Sequence, residues 1–494
     1  MGFSPLETPP QTTGSSQAMG LSETMGLSPL SGRRPRLPKR LPRRFWIVAA
    51  SVVYTVSLHF AYIYYLCPIF SATNWVYQPR SPALVAIAWI CALLPSLWLR
   101  DAIRRPSSVA ASVLYPFLHI PACIIPTYMD LDIEPTRLAT LILVLTCCFS
   151  ALTFCDRLPP LKLPTVRLPA VIFWGAVAAL GLAGYATLIR LFGLRYHAPT
   201  VAEVYGVRDE FAIALDERGG AFAGYIVNWL SEVVNPLLIV WGAMHRRYWL
   251  VVIGAVGSYF MYAVSGMKSA PFSVPAMLLG VYLVLRYRRR LTTAIMMGSV
   301  ALVLVSMLID SLTHDIVMSN FVLRRRITTP GIMTGLYFDY FSSHPKAMLG
   351  YGLFKAFGDY PYELKPPDII GEVYFPWGGS HANAHPFLDA YANFGIGGMA
   401  VFTGIWMLFL WAFDSVGRDR RKTILSALAV LRAALKWMDV SLLTSMLTHG
   451  GGLWLLLVLV APHQRLRPRR AWLRLRRPRR ASLPLASRGR RRIG

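Results

Sequence analysis

Four histidines and a run of arginines fall in one stretch of this 494-residue chain, and their spacing is the first sign of chemistry. Between 311 and 394 lie His314, His344, His381 and His385, the triplet Arg324, Arg325 and Arg326, and Asp389, four residues beyond His385. Guanidinium forks grip phosphate through paired hydrogen bonds, and a histidine or carboxylate can take a proton from an attacking hydroxyl. His381 and His385 have the spacing of a metal pair on one helix face. Pro386 and the small residues around the pair argue against a regular helix through both, and no third ligand has diagnostic spacing. General base, hydrogen-bond donor and structural cap stay open for both, and Asn383 between them is a polar candidate for ligand contact.

Two other junctions carry polar residues of the same kind. The segment 193–224 holds Arg208, Asp209 and Glu210, and the turn 265–271 places Lys268 between two apolar runs. A charge near the bilayer core costs about 2.5 to 3.5 kcal/mol on insertion scales, which marks Lys268 as functional unless it snorkels to the headgroups. Asp130 and Asp132 make a lone DxD pattern, a weak signal in a chain of this length.

Long apolar runs position these groups. Hydrophobic residues make up 55% of the chain and charged residues 15%, well below the roughly 25% charged of soluble domains. Crossing a hydrocarbon core takes about 20 apolar residues. Runs of that kind lie near 45–66, 82–99, 107–128, 138–155, 170–192, 225–243, 249–265, 271–286, 291–310, 395–413, 423–444 and 447–461. The expected fold is therefore an all-α polytopic membrane protein of about 12 transmembrane helices with a long extracytoplasmic loop at 311–394 and a shorter outer loop at 193–224. Arg432, Lys436 and Asp439 interrupt the eleventh run, so a surface helix before a single last span is the rival reading of that end.

The formal charge of +27 suggests nucleic acid until its distribution is read. Most of the excess sits in an N-terminal arm, 1–44, and an arginine-rich tail, 462–494, both expected to be disordered and cytoplasmic. Such arms mark topology or touch anionic membrane lipids, and no nucleic-acid partner is expected. Basic runs at 104–105, 245–247, 286–290 and 418–422 fall at every second junction, which puts both termini inside and the segment 311–394 outside. The six cysteines lie in or at the ends of spans and suggest no disulfide or metal framework. No Walker loop or dinucleotide fingerprint appears, and no cofactor is expected.

Several short motifs occur in a telling order. Tyr-Gly-Val-Arg ends at Arg208, Ser-Gly-Met-Lys-Ser surrounds Lys268, Arg325-Arg326-Ile-Thr-Thr-Pro-Gly precedes the Tyr337 to Phe341 run and His344-Pro345, and Asn383 leads to Asn393-Phe-Gly-Ile-Gly-Gly. Together they resemble the bacterial O-antigen or oligosaccharide repeat-unit polymerases of the Wzy type, over residues 45–461, with order and spacing carrying the match. The terminal arms are not part of the pattern. The resemblance implies a GT-C-like membrane glycosyltransferase related to the O-antigen ligases, in the bacterial cytoplasmic membrane. It would move a glycan from a polyprenyl-diphosphate donor to a second lipid-linked repeat, with a flippase and a chain-length regulator as partners. Arg208, Lys268, Arg324 and Arg325 would then hold the diphosphate, Asn383 and Tyr337 would contact substrate, and the base would come from His381, His385, Asp389 or Asp209. A GT-C enzyme using a polyprenyl-monophosphate sugar fits less well, since 67–82 lacks the Asp or Glu many such enzymes carry there. A transporter of lipid-linked sugars is the alternative of another class; it would show repeats or charges along a mid-membrane path.

Overall fold

The computed structural model describes residues 42–163, 168–200, 203–351, 360–375, 381–419 and 422–462. The terminal arms, apart from a few residues next to the first and last helices, lie outside the described residues, as do 352–359 and 376–380 of the long polar segment. Every regular element among the described residues is helical. Ten of these helices are long and apolar enough to cross a membrane, so the chain is a multi-pass membrane protein.

Two of the twelve expected spans turn out shorter. The run at 82–99 is an apolar helix, Pro82–Leu97, whose last turn tightens at Pro95. The run at 423–444 ends early, as the helix Thr423–Lys436. Its 14 residues cover roughly 21 Å, short of a hydrocarbon core of about 30 Å. The chain nevertheless goes up and returns here. Lys422 Nζ donates to the Leu459 carbonyl, at the far end of Leu442–Val460, while Asp439 pairs with Arg326 at the opposite end. The rival surface helix is excluded by burial, since 425–434 are buried throughout.

Hydrogen bonds sort the junctions into two ends. At one, Ile103 N–H donates to the Arg288 carbonyl over 2.9 Å, Leu291 N–H to the Asp101 carbonyl over 2.7 Å, and the Asp414 carboxylate accepts from Ser107 N–H and Oγ. The basic junctions near 104, 288 and 418 thus meet, as their alternation along the chain requires. At the other end Arg80 pairs with Asp130 at 3.2 Å, Asn74 Nδ2 donates to the Tyr374 carbonyl, and Asp339 accepts from Ile133 N–H.

Both expected outer loops contain helices among the described residues. Within 193–224 the helix Val204–Ala214 begins and runs on, through the wider turns Leu215–Gly219 and Leu230–Val234, to His245. Within 311–394 lie Ser319–Thr328, Thr329–Ser343, Pro366–Tyr374 and the first turns of Pro386–Val416. Polarity at a few positions had masked the aliphatic and aromatic residues between them, and these are what fold inward. Thr329–Ser343 is buried over 330–339. It climbs beside 121–133: Gly331 faces Pro121 and Ile125, Gly335 faces Met129 and Leu131, and Asp339 meets Ile133. A Cβ at Gly331 would lie 2.5 Å from the Pro121 carbonyl oxygen, a backbone atom that cannot swing away. Gly331→Ala is therefore expected to cost about 1 to 3 kcal/mol, read as a lower melting temperature of the solubilised protein.

Pro386–Val416 is two helices in one. At Gly395 the backbone turns to φ 64°, ψ −149°, which divides an enclosed first piece from the long apolar remainder of the helix. Ala347 N–H donates to the Ala392 carbonyl and Met348 N–H to the Asn393 carbonyl, which satisfies acceptors freed by the break.

Candidate anion site at the arginine helix

The arginine triplet sits on Ser319–Thr328, a helix of π pitch. Buried Asp310, near the end of Leu291–Thr313, accepts from Met318 N–H at 2.8 Å and Ser319 N–H at 2.5 Å. A carboxylate at a helix start satisfies donors the helix cannot and favours its positive end. Asp310 thereby fixes where the arginine helix begins. Arg324 is clamped: its guanidinium carbon lies 4.7 Å from the Phe70 ring and 4.8 Å from the Trp75 ring, and Nη1 donates to Asn320 Oδ1 at 3.2 Å. Trp75 is held in turn by donating to Thr328 Oγ1 at 2.8 Å. Arg325 is exposed, and Arg326 pairs with Asp439 at 3.5 Å.

Two distant segments join this helix. Lys268 caps the start of Ser269–Arg286, and its ammonium lies 4.6 Å from the ring of Phe321, one turn before Arg324. Arg208 Nε donates to the Gly266 carbonyl at 3.3 Å. Gly266 has φ 62°, and a Cβ there would lie 2.9 Å from the Val204 carbonyl oxygen and 3.2 Å from Arg208 Cγ, so a glycine lets Val204–Ala214 press on this turn. Arg208, Lys268 and Arg324 come from positions up to 116 residues apart, yet the turn at Gly266 and Lys268 meets both the helix of Arg208 and, through Phe321, the helix of Arg324. Cations gathered in this way can hold a phosphate-bearing group and stabilise charge that develops on it.

The histidines and Asp389 form a different group. His385 is fully buried and Nε2 meets Thr334 Oγ1 at 3.0 Å. Burial pushes its imidazole down to about 3, so it is neutral at ordinary pH and enclosed by the core. Asp389 is also buried; it accepts from Tyr351 Oη at 2.9 Å and Asn393 Nδ2 at 3.3 Å. Asn393 Oδ1 accepts from Leu349 N–H, so Asp389 and Asn393 tie 346–351 to the first piece of Pro386–Val416. Tyr337 is buried with Oη on the Ala382 carbonyl at 2.8 Å. His385 and Asp389, expected as candidate bases, and Tyr337, expected to contact substrate, are thus enclosed and hydrogen-bonded within the core.

His381, Asn383 and Asp209 are exposed. His381 Nδ1 contacts the Asp368 carboxylate, which leaves Nε2 as the outward nitrogen. Sequence reading missed Asp368, Phe70, Trp75 and Phe321, none of which belongs to a recognisable motif. It also missed Glu232, although an acid inside the apolar run 225–243 and a base at Arg432 inside another run were a visible hint of pairing. No group of three metal-ligating side chains occurs among the described residues. No family model, curated protein or solved structure matches the chain.

Proposed function

We propose that the chain is a membrane glycosyltransferase that extends a polysaccharide by joining polyprenyl-diphosphate-linked oligosaccharide repeats at the outer face of a bacterial cytoplasmic membrane. The observation that carries this reading is the convergence of Arg208, Lys268 and Arg324, with Arg325 beside them, at the end opposite the basic junctions. Basic junctions favour the cytoplasm, so the cation string faces out. Energy-rich nucleotides are not supplied there, and a preactivated lipid donor fits. The order of motifs shared with Wzy-type polymerases supports the same reading, as does the all-helical, multi-span architecture, for which we infer a GT-C-like arrangement.

In this reaction the acceptor hydroxyl oxygen bonds to the anomeric carbon of the donor sugar, and the bond from that carbon to the diphosphate breaks. The diphosphate leaves with the electron pair, and the arginine string stabilises its growing charge. The hydroxyl proton passes to a base, for which the exposed candidates are His381, oriented by Asp368, and Asp209, next to Arg208. His381→Ala is expected to lower extension about 100-fold or more. His385→Gln is expected to keep the rate while lowering the melting temperature. The opposite pattern would return the base to the core.

The test of the reaction is direct. Purified protein in lipid, given polyprenyl-diphosphate-linked repeats and no nucleotide sugar, should yield a ladder of lengthened glycans. Single repeats left unchanged would refute the polymerase, and transfer to a different acceptor would make the chain a ligase.

A further inference from the structure

A second cationic cluster lies inside the bundle, away from the arginine helix. Glu232 and Arg432, 4% and 6% exposed, meet through Glu232 Oε2 and Arg432 Nη2, and Lys436 Nζ lies 3.1 Å from Glu232 Oε1. His449 is within electrostatic reach of all three. Arg432 Nε and His449 Nδ1 are enclosed, with no hydrogen-bond partner among the described residues. Two permanent cations thus face one carboxylate. An unbalanced charge out of water is costly, on the order of several kcal/mol, and the two enclosed donors leave hydrogen-bonding capacity that a second anion would satisfy. Asp439, one turn past Lys436, does not supply it, since its carboxylate pairs with Arg326.

The placement suggests which anion. Arg432 lies roughly 14 Å and Lys436 roughly 20 Å along the helix from Thr423, so the cluster climbs toward the end that holds the arginine helix. The side chain of Lys436 is 18% exposed, the most open of the three ion-paired members. The Arg326–Asp439 pair stands between the two clusters. Joining two lipid-linked chains requires two diphosphate headgroups to be held at once, close enough to react although they repel. We propose that Arg432, Lys436 and His449 form a second diphosphate subsite, for the acceptor lipid, while the string of Arg208, Lys268, Arg324 and Arg325 holds the donor. This assignment rests on the proposed polymerase function. A ligase, whose acceptor carries no lipid diphosphate, needs only the first subsite.

Lys436→Met is the informative variant because it leaves Glu232 and Arg432 as a balanced pair and so spares the fold. Native mass spectrometry of the full chain from nanodiscs should find two undecaprenyl diphosphates per wild-type chain, one for Lys436→Met, and two again for Lys436→Arg, at equal melting temperatures. One lipid on the wild type, or two on Lys436→Met, would overturn the proposal. Inorganic pyrophosphate filling the second position in place of the lipid would overturn the assignment to an acceptor lipid. A wild type that builds the glycan ladder while binding one lipid removes the second subsite and leaves the polymerase standing. Two lipids bound, lost to one in Lys436→Met, without any ladder would uphold the subsite and remove the polymerase.

Discussion

Arg325→Ala is expected to lower extension of lipid-linked repeats by about 100- to 1000-fold, with membrane expression and melting temperature unchanged. Arg325 is the cleanest probe of the cation string because it is exposed, whereas Arg324 packs against Phe70 and Trp75 and Arg208 holds the Gly266 turn. Removing either of those would mix lost charge with lost packing. Arg325→Lys should retain part of the rate, since an ammonium keeps the charge and loses the paired geometry of the guanidinium. Initial rates of ladder formation at saturating donor separate the cases. Full activity in Arg325→Ala would remove this residue from the site.

Glu232→Gln should be the most damaging change to the fold, costing about 3 to 5 kcal/mol, because it leaves Arg432 and Lys436 buried without their shared carboxylate. Trp454 also depends on this point, through its Nε1 donation to the Glu232 carbonyl at 3.0 Å. The loss should appear as a sharp fall in melting temperature and in the yield of monodisperse protein. Adding Lys436→Met to Glu232→Gln should recover part of that loss by removing one of the two stranded cations. No recovery would mean that Glu232 acts through packing and not through charge.

Most of the membrane architecture was legible in the sequence because a crossing helix is written in one local property, about 20 apolar residues in a row. The expected span start at 395 coincides with the break at Gly395 within Pro386–Val416. The errors came where length and polarity disagree. Thr423–Lys436 reads as a span interrupted by charge, yet its arginine and lysine are the reason it sits at Glu232 as a short inner helix. The segment 311–394 reads as a loop because its charged residues draw the eye, whereas Pro330 to Phe341 is one of the most enclosed stretches of the molecule.

Residue type pointed more clearly to the cations that the fold gathers than to which histidine or aspartate is exposed. A basic residue in a short turn between two apolar runs goes against the expected charge bias, so Lys268 stood out, and the fold brings it to Phe321 on the arginine helix, while Arg208 meets the same turn at Gly266. A histidine or aspartate carries no such signature of exposure. His385 and Asp389 look identical in kind to His381, and only three-dimensional packing separates the two enclosed groups from the accessible one. Asp368, which orients His381, lies 13 residues away on another helix, beyond any local pattern.

Single-turnover transfer tests the central claim most directly. A lipid-diphosphate donor with a labelled glycan is mixed with an unlabelled lipid-linked repeat in liposomes holding wild type or Arg325→Ala. The account predicts that the label moves, in the wild type, to a longer glycan still attached to the acceptor's lipid diphosphate, and stays on the donor in Arg325→Ala. Label that remains on the donor in both, or moves equally in both, would contradict it.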